Sequence, residues 1–386
     1  MTGDLRQRVL DWLDDREGEM IDFLARLVNI DSGSYDKAGV DAVGEEIRTF
    51  LRAAGIAHDV APRERFGDVI RAEVPGTANH ARPILIMGHR DTVFPQGEAE
   101  RRPFRIENGR AYGPGVADMK AGLVMNSFVL AAFARCGGAD APLVGLYTGD
   151  EEIASPSSRE AIESEARNAA IVLNSEPGRP SGNVVTGRRG CIFIRFEVTG
   201  RSAHSGVNFH DGISAIEELA RKTQALHALT DPSKDITVNV GRVHGGQSVN
   251  TVAPLATAEV DLRYSDPAVR APLIADVERI LGTSSLEGTS CTFGLFGEFP
   301  PMHQTPAGRE LFELYRASAA SIGLDVGGEF TNGAADSGFS AAVGTPTLCG
   351  LGPVGGRFHS DDEYMEVATL LPRAKALAQT ILNAPR

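Results

Sequence analysis

Three short apolar runs, each closed by a side chain able to bind a cation, constrain this chain more than any other feature. Pro83-Ile84-Leu85-Ile86-Met87-Gly88 ends at His89, Leu143-Val144-Gly145-Leu146-Tyr147-Thr148 leads into Gly149-Asp150-Glu151-Glu152, and Ala170-Ile171-Val172-Leu173-Asn174-Ser175 ends at Glu176. Runs of this length and composition read as buried strands. Helical patterns lie between and after them: Leu123 to Arg135 is apolar on one face, and Ser155-Pro156 reads as the N-cap and first turn of a helix through Ala166. This alternation predicts an α/β fold with a largely parallel sheet covered by helices. Ligands of open α/β sheets collect at the carboxyl ends of strands, where His89, Glu152 and Glu176 fall. Asp118, in a Gly-rich turn, and His359, after a Gly-rich loop, complete five metal-compatible residues that only a folded chain could gather.

Upstream, helical apolar spacing runs from Asp4 to Asn29 and from Asp41 to Ala54, with Gly55 placed as a C-terminal cap. The texture changes after Pro180. Cys191 to Thr199 alternates like a half-exposed strand, followed by a helix from Gly212 to Leu229 and strands near Ile236–Arg242 and Ala256–Tyr264. A helix from Pro267 to Leu281 and a strand at Cys291–Phe296 complete a β-α-β-β-α-β order, the ferredoxin-like signature. The α/β texture returns after Pro300-Pro301 and ends in a helix from Met365 to Leu382. The expected organisation is a main domain at 1–182 and 301–386, with a smaller α+β domain inserted at 183–300. A chain of 386 residues is long for one core and agrees with two domains.

The net charge of −13 argues against nucleic acid or an anionic membrane as partner. Cys136, Cys191, Cys291 and Cys349 lie far apart without a CxxC, as buried thiols of a reducing compartment do. No secretory h-region and no apolar run long enough to span a bilayer is read, so the cytoplasm is the expected location. Gly113 and Gly115 lack the third spaced glycine of a dinucleotide fingerprint, which disfavours a nucleotide-dependent oxidoreductase.

A two-metal site needs a bridging carboxylate, terminal histidines and carboxylates, and a base beside the open position. His89-Arg90-Asp91 offers a ligand and a carboxylate suited to orient its imidazole. Glu151 and Glu152 are adjacent, so one can bind metal while the other faces substrate as general base.

Met87-Gly88-His89-Arg90-Asp91-Thr92-Val93, Tyr112-Gly113-Pro114-Gly115-Val116-Ala117-Asp118-Met119-Lys120, Thr148-Gly149-Asp150-Glu151-Glu152, Asn174-Ser175-Glu176-Pro177 and Phe358-His359-Ser360-Asp361-Asp362-Glu363-Tyr364 together resemble the M20 metallopeptidase family. The resemblance covers nearly the whole chain and is greatest to the glutamate carboxypeptidase and acetylornithine deacetylase branch. It implies a zinc-exopeptidase-like catalytic domain with a mostly parallel mixed sheet, and an inserted ferredoxin-like domain acting as lid and dimerisation module. It implies two zinc ions per subunit, with Co or Mn as substitutes. Asp118 would bridge them, His89 and Glu176 would hold one, and Glu152 and His359 the other. Glu151 would be the general base, Asp91 the partner of His89, and Asp118-Met119 a cis peptide.

In the inserted domain, His204 of Gly200-Arg201-Ser202-Ala203-His204-Ser205-Gly206 resembles the family histidine that reaches the partner subunit's active site and stabilises the oxyanion. The following Asn208-Phe209-His210-Asp211 departs from the family pattern. Asn250 and Arg263 resemble residues that hold the substrate's free carboxylate, a task suited to the planar guanidinium fork. The loop Gly333 to Ser337 resembles a family loop near the substrate, altered here to Gly-Ala-Ala-Asp. The implied function is a homodimeric zinc hydrolase cleaving an amide bond beside a free carboxylate, in a small molecule or short peptide. An N-acyl-amino-acid deacylase or aminohydrolase on the same site is the alternative. A binding protein that has lost catalysis is disfavoured, because all five ligands and Glu151 are present.

Overall fold

The computed structural model describes residues 2–78 and 80–384. Its first half runs α1 (Thr2–Asp14), α2 (Glu17–Val28), α3 (Lys37–Ala54), β1 (Ala57–Ala61), β2 (Val69–Val74), β3 (Ile84–His89), α4 (Ala121–Cys136), β4 (Leu143–Thr148), α5 (Arg159–Asn168) and β5 (Ile171–Asn174). The single helix expected from Asp4 to Asn29 is two. Arg16 folds back over the Trp12 ring at 4.1 Å and donates to the Trp12 carbonyl at 3.0 Å, capping α1 before α2 begins. Helix α3 is capped as its sequence suggests: the Asp36 side chain accepts from the Gly39 amide, and Gly55 takes φ 74°. The helix expected from Ser155-Pro156 starts only at Arg159, because the Ser155 hydroxyl goes to Asp336 and Asp150 takes the Ser157 amide at 2.6 Å.

The chain then forms β6 (Gly190–Thr199), α6 (Ala215–His227), β7 (Thr237–Gly245), β8 (Leu255–Tyr264), α7 (Arg270–Gly282) and β9 (Ser290–Phe299), and returns through α8 (Pro306–Ala320), β10 (Thr347–Leu348) and α9 (Leu370–Asn383). The last helix starts later than Met365. Tyr364–Glu366 instead pairs antiparallel with Arg110–Tyr112, which buries Met365 in a ladder.

Two compact units result. Unit 1 comprises 1–187, 304–331 and 335–386; unit 2 comprises 188–303 and 332–334. Unit 1 is built on a six-stranded mixed sheet in the order β1-β2-β4-β3-β5-β10. β3 is parallel to both β4 and β5, and β10 is parallel to β5, while β1 and β2 add antiparallel. In register, His89 stands beside Thr148 and Met87 beside Asn174, so the three strands finish together. All residues of β3, β4 and β5 are buried, as a sheet covered on both faces requires.

Helix α4 packs against the sheet and against α1, α2, α3 and α9. It corrects one expectation from sequence: Val116–Cys136 is 21 residues, apolar enough by length and composition to cross a membrane, yet 94% of its apolar window lies buried inside the protein. Its start presses on the sheet's carboxyl edge, since a Cβ on Gly122 would stand 2.0 Å from the Ser175 carbonyl oxygen.

Unit 2 is a four-stranded antiparallel sheet in the order β7-β8-β6-β9, with its own core. With α6 and α7 it makes the β-α-β-β-α-β arrangement. Ile192, Ile194, Phe196 and Val198 of β6, and Ala256, Ala258, Val260 and Leu262 of β8, alternate into that core. Both edge strands carry a bulge, at Val240/Arg242 and Leu295/Gly297.

Candidate active site

The five metal-compatible residues converge in unit 1. His89 closes β3; Glu151 and Glu152 form a short turn after β4; Glu176 follows β5. Asp118 lies between the glycine turn and α4, before the cis Asp118-Met119 bond, and His359 sits in a loop at φ 61°. The two carboxylate oxygens of Asp118 face two different histidines: Oδ1 is 3.3 Å from His89 Nε2 and Oδ2 is 3.4 Å from His359 Nε2. Glu176 lies 3.6 Å from His89 Nε2, and Glu152 3.2 Å from His359 Nε2. Glu151 approaches His89 Nε2 at 3.8 Å. Ligand atoms of His89, Asp118 and Glu152, and of His89, Glu151 and Glu176, fall within 4.8 Å of one another.

The surroundings orient these groups. His89 Nδ1 lies 3.0 Å from the Asp91 carbonyl and 3.4 Å from its carboxylate, which directs Nε2 into the cluster. Asp91 also accepts from the Glu151 amide at 3.0 Å, the Glu152 amide at 3.1 Å and the Ser34 hydroxyl at 2.7 Å. One buried carboxylate thus sets His89 and both glutamates. Glu363 accepts from the Ala117 and Asp118 amides at 2.9 and 3.0 Å, fixing the backbone of Asp118. Arg102 donates to the Ser360 and Asp361 carbonyls at 3.3 and 2.8 Å, holding the His359 loop. Asp336 is buried and bonded to Ser155 and, at 3.3 Å, to Thr148. Glu363 and Asp336 stand in strings already noted but were given no role of their own, and Ser34 lies outside every such string; no local pattern distinguishes any of the three from a turn residue.

Crowding of carboxylates dominates the electrostatics. Burial, then neighbouring acids, pushes Glu151 well above the usual carboxylate range and Glu152 up to about 7. Burial raises Asp336 and Glu363 to about 8 each. Burial opposes charge on His89, but Glu151, Asp118, Asp91 and Glu176 outweigh it and lift its pKa well above normal. His359 rises to about 10 through its bonds to Asp118 and Glu152. Asp118 is held far below the usual range: burial raises it, but the two histidines more than reverse this. The buried Nε2 of His89 has no hydrogen-bond partner. Imidazole and carboxylate donors, an orphaned imidazole nitrogen and an excess of negative charge fit divalent cations such as Zn, Co or Mn.

Unit 2 holds the remaining candidates, and it does not bring them together. His204 pairs with Thr251, and the Ser205 amide donates to the Asn250 carbonyl at 3.0 Å, so His204 and Asn250 are neighbours. The Gly206 and Val207 amides donate to His204 Nδ1 at 3.1 and 3.2 Å, which leaves the proton on the exposed Nε2. Arg263 pairs with Cys191 at the other end of β8, whose Leu255 pairs with Thr199 beside the His204 loop. Eight residues of strand separate the ends, about 26 Å at ~3.3 Å each. Asn250 and Arg263 of one chain therefore cannot grip one carboxylate, contrary to the sequence expectation; the strand register sets them apart. Arg263 bonds Asp261 at 2.8 Å and the Asn332 carbonyl at 3.4 Å.

The sequence pattern of peptidase family M20/M25/M40 matches residues 85–383, and the chain belongs to that family. It is 26% identical over 378 residues to carboxypeptidase G2 of Pseudomonas sp. (strain RS-16), covering 96% of this chain and 90% of that protein. It is 29% identical over 309 residues to succinyl-diaminopimelate desuccinylase of Cupriavidus taiwanensis, covering 75% and 79%. An M20 family metallo-carboxypeptidase from Sulfolobus solfataricus shares the fold with a TM-score of 0.74 at 18% identity, over 95% of this chain and 98% of that one. The protein is accordingly a metallo-hydrolase acting on peptide or amide bonds.

Proposed function

We propose that this chain is a dinuclear zinc amidohydrolase of the glutamate carboxypeptidase type, cleaving an amide bond beside a free carboxylate. The observation that carries the reading is the disposition of Asp118, whose two oxygens face His89 and His359 separately, as a bridging carboxylate's would. His89 and Glu176 would hold one cation, and His359 and Glu152 the other. Bound there, the cations would polarise the scissile carbonyl and make attacking water more acidic. Glu151, set by the Asp91 contact to its amide, takes the proton of that water and passes it to the leaving amine. Arg263 takes the substrate's carboxylate. His204, with its proton on Nε2, is the donor for the oxyanion, and because it stands with Asn250 away from Arg263, the pair serves the partner subunit of a homodimer. The exposed apolar side chains of Val207, Phe209 and Val249 around that pair support a covered surface there.

Chelation is expected to abolish hydrolysis of N-acyl amino acids and dipeptides, and zinc or cobalt to restore it, with two ions bound per chain. Full activity in a protein shown to be metal-free ends this reading. For assembly, mixing inactive His204→Ala with inactive Glu151→Gln is expected to regenerate part of the activity, since a heterodimer holds one intact composite site. Exchange of subunits without recovery refutes the composite site.

A further inference from the structure

Where α1 gives way to α2, unit 1 carries a recess of about 430 Å³, within the range of small-molecule sites. Aromatic side chains from three helices line it: Trp12 of α1, Phe50 of α3 and Phe128 of α4. Phe128 is buried, and the rings of Phe50 and Trp12 stand 4.7 and 6.2 Å from it. Trp12 and Phe50 are only half-buried, so both keep apolar surface open. Ala53 and Ala131, also in the lining, are too small to fill the space between the rings. The recess is not part of the metal cluster. Asp118 precedes the start of α4, and Ala131 lies about 15 Å along that helix from Ala121 at ~1.5 Å per residue.

The rim decides which charge the recess favours. Its charged residues are Arg16, Arg135 and Glu19. Arg16 lies 4.1 Å over the Trp12 ring and 3.9 Å from Glu19. A cationic ligand would need an acid or an open ring face, and Arg16 already stands at Glu19 and over the indole. Arg135 donates to the Ala53 carbonyl at 2.9 Å and, among the described residues, pairs with no carboxylate. A guanidinium carries five N–H donors, so that one bond leaves donors for an anion. The field at this end of α4 is positive as well: burial raises the neighbouring Cys136 thiol, while Arg8 and Arg16 pull it back. This patch stands out on a chain of net charge −13.

We infer that the recess binds an organic anion made of an aromatic ring and one carboxylate. The ring covers the open surface of Trp12 and Phe50, and the carboxylate meets the guanidinium of Arg135. None of these residues takes part in the hydrolysis assigned to the cluster, so the site is separate from the reacting centre and does not depend on metal.

Trp12 is the only tryptophan of the chain, so its emission reports on the recess directly. The test titrates zinc-loaded protein with 4-phenylbutyrate, its neutral amide and 4-phenylbutylamine, which share ring and length and differ in charge. The carboxylate is expected to bind saturably, about tenfold tighter than the amide, with the amine weakest. Arg135→Gln should erase the preference for carboxylate over amide, and Ala53→Phe, at an exposed position, should abolish binding of both by filling the space. Where emission stays silent, a ligand-detected NMR signal that Ala53→Phe removes takes its place. A wild type that shows neither, an amine that binds as tightly as the carboxylate, or a preference untouched by Arg135→Gln overturns the inference. So does self-association of wild type that Ala53→Phe abolishes, which would give the recess to a second copy of the chain.

Discussion

In unit 2 the buried ammonium of Lys222 lies 3.1 Å from Glu218 and donates to the carbonyls of Ile280, Leu281 and Thr283 at 2.8 to 3.0 Å, where α7 ends. Glu218 in turn accepts from the Ser285 and Leu286 amides at 2.8 to 3.1 Å. One cation meets one anion, and each closes its remaining bonds on backbone. In unit 1, Asp91, Asp118, Glu151, Glu152 and Glu176 crowd around two histidines. The nearby buried cations are directed elsewhere: Lys120 to the Ile30 carbonyl, Arg90 to those of Val40, Asp68 and Thr148. Burying charge without a partner costs several kcal/mol, so a fold keeps such an arrangement only where something else supplies the balance. The balanced pair is architecture. The unbalanced cluster is a site that a divalent cation completes.

Removing one partner is the strongest way to break the comparison. Lys222→Met leaves Glu218 buried without its cation and the carbonyls of Ile280, Leu281 and Thr283 without their donor, a loss of about 3–5 kcal/mol. Denaturant unfolding measures it, and adding Glu218→Gln should recover part of the loss. A Lys222→Met protein as stable as wild type would show that the pair is not a balanced structural element.

The same operation in unit 1 should go the opposite way. Glu151→Gln removes one of the crowded acids, so the metal-free protein is expected to gain stability, keep its capacity for metal, and lose about 10²-fold or more in kcat. Metal analysis beside steady-state kinetics checks this. Loss of one metal per chain in the variant would mean that Glu151 is a ligand and that Glu152 is the group facing substrate.

The cluster was largely legible in the sequence because three apolar runs, each ending in a ligand, determine where three strands stop together. His89, Glu152 and Glu176 need only that register. Asp118 and His359 lie in loops, and the family strings, not periodicity, pointed to them. Asp336 and Glu363 were invisible as parts of the cluster, since each acts through long-range contacts, to Ser155 and to the amides of Ala117 and Asp118. The separation of Asn250 from Arg263 depends on which end of β8 each occupies, which no motif records. The break between α1 and α2 falls in Asp14-Asp15-Arg16-Glu17-Gly18-Glu19, where the apolar stripe lapses between Leu13 and Met20 and Arg16 caps the backbone. Apolar content likewise could not tell the core helix ending at Cys136 from a membrane span; only its burial does.

The smallest expected effect, and the sharpest on sign, is the pH dependence of the two clusters. A group whose pKa is higher in the folded protein contributes stability that is full below its unfolded value and is lost as pH rises through its folded value. Glu152 at about 7, and Asp336 and Glu363 at about 8, all lie above the ordinary 4.5 and 3.8 of their side chains. His359, raised from 6.5 to about 10, acts in the same direction. Metal-free unit 1 should therefore lose stability steadily from about pH 5 to about pH 8. Glu218 is opposite: burial raises its pKa, but the Ser285 amide and Lys222 bring it below 4.5, so its contribution is full above that value and fades only in acid. Zinc competes with protons for the same atoms of unit 1, so the stabilisation it confers should grow over the same interval. Thermal midpoints of chelated and zinc-loaded protein, measured between about pH 5.5 and pH 8, should diverge as pH rises, with the chelated midpoint falling. A chelated midpoint that climbs over that interval would mean that the carboxylates of unit 1 are already balanced without metal, as those of unit 2 are.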